Sequence, residues 1–155
     1  MTTPRDRVSF GHHSFPFFGL QGTAEEPLPL PMLPVRIRRL GGRYGRAFNA
    51  VLDTGSTRTL IPAALARANG VLWEERPSPL RVVGGVAEGF GATVDVAIVD
   101  ANLPEVSCWE VSRVDVRVME DKDLDSAIVG WDLLELFEIV MDRQGDRISL
   151  RLQLP

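Results

Sequence analysis

Apolar and polar positions alternate with a period of two over much of the chain, which predicts strands rather than helices. Val35 and Ile37 alternate with Arg36 and Arg38 ahead of Gly41-Gly42, so a hairpin is expected to turn at the glycines and return over residues 44–52. Further strand-like runs cover residues 80–83, 92–99, 106–111, 114–119 and 127–129. The last strand follows a turn at Arg143-Gln144-Gly145-Asp146. It alternates Ile148, Leu150, Leu152 and Leu154 on one face with Ser149, Arg151 and Gln153 on the other. This strand is either core alone or available to pair with a second copy.

Two short helices break the β pattern. Pro62 stands in a first-turn position before residues 63–68, and Asn69-Gly70 supplies a stop. The second helix is expected from Trp131 or Asp132 to Glu138, with Leu133, Leu134 and Phe137 sharing a buried face. Between strands 80–83 and 92–99 lie Gly84, Gly85, Gly89 and Gly91, with Val86 among them. This stretch reads as a mobile hairpin tip and a candidate lid, an ordinary loop being the alternative. Residues 1–32 form a separate N-terminal arm, with an aromatic knot (Phe15-Pro16-Phe17-Phe18) and prolines at 27, 29 and 31, ahead of a domain over 33–155. Whether the knot packs as a strand is open at this level.

Composition changes the picture mainly by exclusion. With 45% hydrophobic and 25% charged residues the chain is globular, and its 155 residues suit one domain. A net charge of -4, without a Lys/Arg cluster, argues against nucleic acid or an anionic membrane as partner. No apolar run has the length of a membrane span or a signal core. Cys108 is the single cysteine, so no intrachain disulfide and no zinc pattern arises, and a reducing, cytoplasmic location is expected. Asp121, Asp123 and Asp125 imitate the spacing of a calcium loop, but Ser126 replaces the required glycine and the flanks are strand-like. A solvated acidic loop is the stronger reading, and no metal or organic cofactor is expected.

The candidate chemistry sits in Ala50-Val51-Leu52-Asp53-Thr54-Gly55-Ser56-Thr57. An apolar strand delivers an acid into a tight Thr-Gly turn, which holds the carboxylate out instead of burying it. Downstream, Ile128-Val129-Gly130 runs into Trp131-Asp132-Leu133-Leu134. In this order the two motifs resemble those of the retropepsin-like, single-domain aspartic proteases of the pepsin-like clan, over roughly residues 33 to 154.

That resemblance implies a mainly β, closed-barrel-like subunit of half-pepsin size with one or two short helices, acting as an aspartic endopeptidase on peptide or protein substrates. Asp53 would be the catalytic acid. Thr54 would lock the two active-site loops of a homodimer, Gly55 would let substrate backbone approach, and Ser56 fits the following position. Gly84, Gly85, Val86 and Gly89 would form the flap, while Ile128, Val129 and Gly130 would support the catalytic loop. Thr57 and Arg58 stand where viral members carry acidic residues, so substrate preference is expected to differ.

Independent chemical logic points the same way. Two nearby carboxylates sharing one proton can activate water and polarise a carbonyl together, and one chain supplies one such loop. A homodimer with activity below neutral pH follows. The rival reading is a catalytically silent module that keeps the fold for dimerisation or peptide binding. The paired aromatic residues at 15–18 also resemble sites that such enzymes cut, so self-processing near residues 15–20 is a further expectation.

Overall fold

The computed structural model describes residues 12–16, 18–19, 29–82 and 84–153. Most of the arm, including Phe17 and Pro27, lies outside the described residues, as do Val83 and Leu154. Strand β1 (His12–Pro16) comes first, and β2 (Phe18–Gly19) pairs with β3 (Pro29–Leu30).

Six strands then close a barrel. Strand β4 (Met32–Arg39) lies antiparallel to β5 (Phe48–Leu52). Strand β6 (Leu60–Pro62) leads into helix α1 (Ala63–Ala68). Strand β7 (Ser78–Val82) forms a hairpin with the long β8 (Gly85–Val99), which is antiparallel to β9 (Ser107–Met119). The short β10 (Ile128–Val129) inserts between β5, to which it is parallel, and β6, to which it is antiparallel. Parallel pairing of β6 with β9 and antiparallel pairing of β4 with β8 complete the circuit β4-β5-β10-β6-β9-β8. Closure leaves the barrel strands no bare edge, and β7 hangs outside it on β8.

After helix α2 (Trp131–Leu134), β11 (Phe137–Asp142) and β12 (Arg147–Leu152) form the last hairpin. Strand β12 lies between β1 and β11 in a three-stranded antiparallel sheet. Both of its backbone edges are therefore occupied within the chain, which removes the expected option of β12 itself pairing with a second copy. Phe15 of β1 is 1% exposed and shares one core with Ile148 and Leu150 of β12 and with Leu33, Val96 and Val116 of the barrel. The rings of Trp109 and Phe137 meet edge to face at 4.9 Å between centroids, tying β9 to the terminal sheet.

Several element limits differ from the sequence expectation. Residues 106–111 and 114–119 belong to one strand, β9, interrupted by a bulge in which Ser112 and Arg113 oppose Asp95 alone. Arg113 takes φ 58°, and its N–H donates to Asp95 Oδ1 at 3.0 Å, while Asp95 Oδ2 accepts from Arg38 Nε at 2.8 Å. A buried carboxylate thus satisfies the irregular backbone. Strand β5 starts at Phe48, not at residue 44. The Tyr44 ring instead lies against the guanidinium groups of Arg38 and Arg36, at 4.4 Å and 5.4 Å from the ring centroid. Helix α2 is a single turn. Phe137 leaves the expected helical face because it opens β11, where cross-strand pairing and the Trp109 contact outweigh one more helical turn.

Candidate active site

Asp53 follows directly on β5, and the parallel neighbour β10 controls where it points. Val51 pairs with Ile128 and Leu52 with Val129. The Val51 N–H donates to Ala127 O at 2.8 Å, and the Asp53 N–H donates to Val129 O at 3.1 Å. Ile128 and Val129 thus form a backbone rail along the strand that ends at the acid. Val129 is buried and Ile128 half-buried.

The turn then holds the carboxylate. Gly55 N–H donates to Asp53 Oδ1 at 2.8 Å, and Ser56 N–H donates to Asp53 O at 3.2 Å. A Cβ at Gly55 would lie 3.1 Å from Asp53 Oδ1, so a side chain there would press on the carboxylate. Ser56 Oγ donates to Arg58 O at 2.7 Å and steadies the far end of the turn. Among the described residues, Asp53 Oδ2 has no hydrogen-bond or ion-pair partner. Asp53 is half-buried, while Thr54 and Gly55 are exposed beside it.

A second layer fastens this turn to α2. Gly130 packs so closely on the chain that an added Cβ would lie 2.5 Å from both C and O of Arg58. Thr59, 5% exposed, is the centre of a small network. Its N–H donates to Asp132 Oδ2 at 2.8 Å, its hydroxyl donates to Asp132 Oδ1 at 2.7 Å, and the same hydroxyl accepts from Gly130 N–H at 3.2 Å. Trp131 adds two clamps: its indole N–H donates to Thr54 O at 2.5 Å, and its backbone N–H donates to Ser56 O at 2.9 Å.

Sequence reading passed over Thr59, Trp131 and Asp132 as parts of the site. The available signal was chemical. A threonine opening the apolar run Leu60-Ile61 and an acid in the first turn of a buried helix both need partners.

The glycine-rich hairpin is built differently from its expected form. Strand β7 ends at Val82, and Gly85, Val86, Gly89 and Gly91 already belong to β8. Gly84 has φ 93°, a conformation that favours glycine, and nothing lies within 4 Å of a Cβ placed there. Val86 is 69% exposed. Gly89 is buried in the strand, where a Cβ would meet Met119 Sδ at 2.9 Å, so it serves packing rather than a mobile tip. Among the described residues, no hydrogen bond joins this hairpin to the Asp53 turn.

The acidic loop also has ordinary employment. Asp121 accepts from Ala64 N–H at 2.8 Å and from Arg67 Nη2 at 3.1 Å, and no set of three or more His, Cys, Asp or Glu groups is assembled among the described residues. Burial, aided by the nearby Asp100 carboxylate, pushes the Cys108 thiol up to about 11. Among the described residues no helix is long and apolar enough to cross a membrane.

The family model described as "gag-polyprotein putative aspartyl protease" matches residues 44–135, well over half of the chain. The chain belongs to this family. Its match spans both the Asp53 turn and the Gly130 corner. Among solved structures, a retropepsin-like aspartic protease from Rickettsia conorii is similar over 92% of this chain and 93% of its own, with 15% identity and a TM-score of 0.55. The fold of this family member is accordingly retropepsin-like: mainly β, a six-stranded barrel with two short helices. The EIAV protease complexed with the inhibitor HBY-793 matches over 75% of this chain and 92% of its own, with 19% identity and a TM-score of 0.48. No curated protein matches.

Proposed function

We propose that the chain acts as a homodimeric aspartic endopeptidase in which the Asp53 carboxylates of two copies share the active site. The observation that carries this reading is the half-partnered Asp53: Gly55 N–H fixes Oδ1, and Oδ2 is left free at the mouth of an exposed turn. Asp132, across the same corner, spends both oxygens on Thr59.

One carboxylate cannot be base and acid at once, so a two-fold partner completes the chemistry. The ionised Asp53 takes a proton from a water molecule whose oxygen attacks the scissile carbonyl carbon. The protonated Asp53 of the second copy gives its proton to the carbonyl oxygen. The resulting tetrahedral diol collapses by breaking its C–N bond, with proton transfer to the departing amine, and the carboxylate pair recovers its single proton. Thr54, exposed beside Asp53, faces the second copy in this reading. The β7–β8 hairpin, through Gly84, Gly85 and Val86, serves as the flap over an extended peptide. A cytoplasmic setting, argued from the single cysteine, belongs to the same proposal.

Digestion of casein over acidic to neutral pH, with sedimentation measured in parallel, tests the reading. Expected are a dimer, cleavage with a maximum below neutral pH, inhibition by a statine-type transition-state mimic and loss of cleavage in Asp53→Asn. A verified dimer with no cleavage at any pH would identify a silent binding module instead.

A further inference from the structure

A concavity lies at the far end of the Asp53 turn. It measures about 520 Å³ and opens between Arg58 and the base of the β7–β8 hairpin. Its floor is the outer face of β8 and β9, where Gly91 pairs with Arg117 and Thr93 with Asp115. Its wall is the segment carrying Trp73 and Glu74, which Glu74 N–H anchors to Gly91 O at 2.8 Å. Arg58 forms the rim on the Asp53 side, in the turn that Ser56 Oγ closes.

The charges here are not mutually satisfied. Asp115 accepts from the Thr93 hydroxyl at 2.8 Å. Glu74 and Arg117 converge above Gly91, where an added Cβ would lie 2.7 Å from Glu74 Oε2 and 3.1 Å from Arg117 Nη1, yet the two form no ion pair. Glycine at position 91 keeps that gap open. Glu74 is the nearby counter-charge for Arg117, whereas Arg58 has no ion pair and no side-chain hydrogen bond among the described residues. An exposed guanidinium facing a cavity with an indole wall suits a side chain with an apolar stem and an anionic tip.

Resting on the protease reading above, we propose that this cavity is a specificity subsite that selects an acidic side chain, Glu or Asp, of the substrate, with Arg58 as its principal receptor and Arg117 as the second. The stem packs on Trp73, and the carboxylate takes guanidinium hydrogen bonds from Arg58. Because Arg58 is exposed, the selection weakens as salt rises.

The test is binding, so that it stands apart from catalysis. Blocked octapeptides with a central Phe-Phe pair, carrying Glu, Gln or Lys at each other position in turn, are titrated calorimetrically into the Asp53→Asn protein at low and high salt. One position is expected at which Glu binds at least roughly tenfold more tightly than Lys, the preference shrinking with salt. Arg58→Glu should invert the preference, Arg117→Gln reduce it and Glu74→Gln strengthen it. Equal binding of the Glu and Lys peptides at every position, no binding of any peptide, or a preference that survives Arg58→Glu would overturn the proposal, even for a protein that cleaves casein. Conversely, the expected binding pattern in a protein that never cleaves would uphold the subsite and remove the endopeptidase reading.

Discussion

Asp53 and Asp132 lie at the two ends of one small corner of the molecule, and the same side chain has opposite employment in each. Asp132 spends both oxygens on Thr59 inside the fold. Asp53 spends one oxygen on Gly55 and presents the other. What separates them is the backbone ahead of each residue: a helix turn behind Gly130 faces inward on Thr59, whereas the Thr-Gly turn after β5 faces outward. Asp132, tied at both oxygens, is an anchor, and Asp53, tied at one beside an exposed turn, keeps the other oxygen unpartnered among the described residues. The corner needs both, because the anchor fixes the turn from which Asp53 is displayed.

This contrast can be broken from either side. Asp53→Asn is expected to lower cleavage by about three orders of magnitude or more, since a general acid–base group is lost at an unchanged scaffold. Its melting temperature should stay close to wild type, and a large fall would show that Asp53 is an anchor too. Gly130→Ala should lower stability, because a methyl group 2.5 Å from the Arg58 backbone forces the turn to shift. A loss of about 1–3 kcal/mol in denaturant unfolding is expected, with cleavage falling in parallel. Thr59→Val, which strands Asp132 Oδ1 and the Gly130 N–H, should cost about 1–3 kcal/mol by the same measurement. Trp131→Phe removes only the indole bond to Thr54 O and should cost about 1 kcal/mol or less while reducing kcat more than KM.

A last and smaller effect sharpens the contrast by showing what full burial does to a titratable group. The Cys108 thiol, pushed up to about 11 by burial and Asp100, stays neutral in the folded chain where it would ionise in the unfolded one. Its contribution to stability is present below the ordinary thiol range and is lost as pH rises through that range toward 11. Alkylation by iodoacetamide at pH 8 should accordingly be slow in the native protein and fast in denaturant.

The Asp53 turn was legible in the sequence because its determinants are local: an apolar strand, an acid, and a glycine whose N–H returns to that acid. Helix α1 was legible for the same reason, with Pro62 ahead of it and Asn69-Gly70 behind. Elements set by distant partners were not. Thr59 meets Asp132 across 73 positions, and Arg113 bends the middle of β9 because a carboxylate on β8 receives its N–H. Neither Ser112 nor Arg113 carries the glycine or proline that would mark a break. Phe137 has a helical spacing from Leu133 and Leu134, yet its fate depends on Trp109 and on β12. The glycines at 85, 89 and 91 read as a loop by composition, although pairing with β7 and β9 places them in a strand.

Strand β1 carries a consequence for any processing of the N-terminal segment. Its five residues pair with β12, and Phe15 fills part of the common core. While the chain is intact, that strand is a tethered ligand whose effective concentration is on the order of millimolar. A cut between β1 and β4 would leave the pairing of β1 with β12 in place and remove its tether, making β1 a separate peptide whose occupancy depends on dilution. Cleavage there would turn a permanent part of the core into a concentration-dependent one, with the vacated edge of β12 exposed whenever the peptide departs.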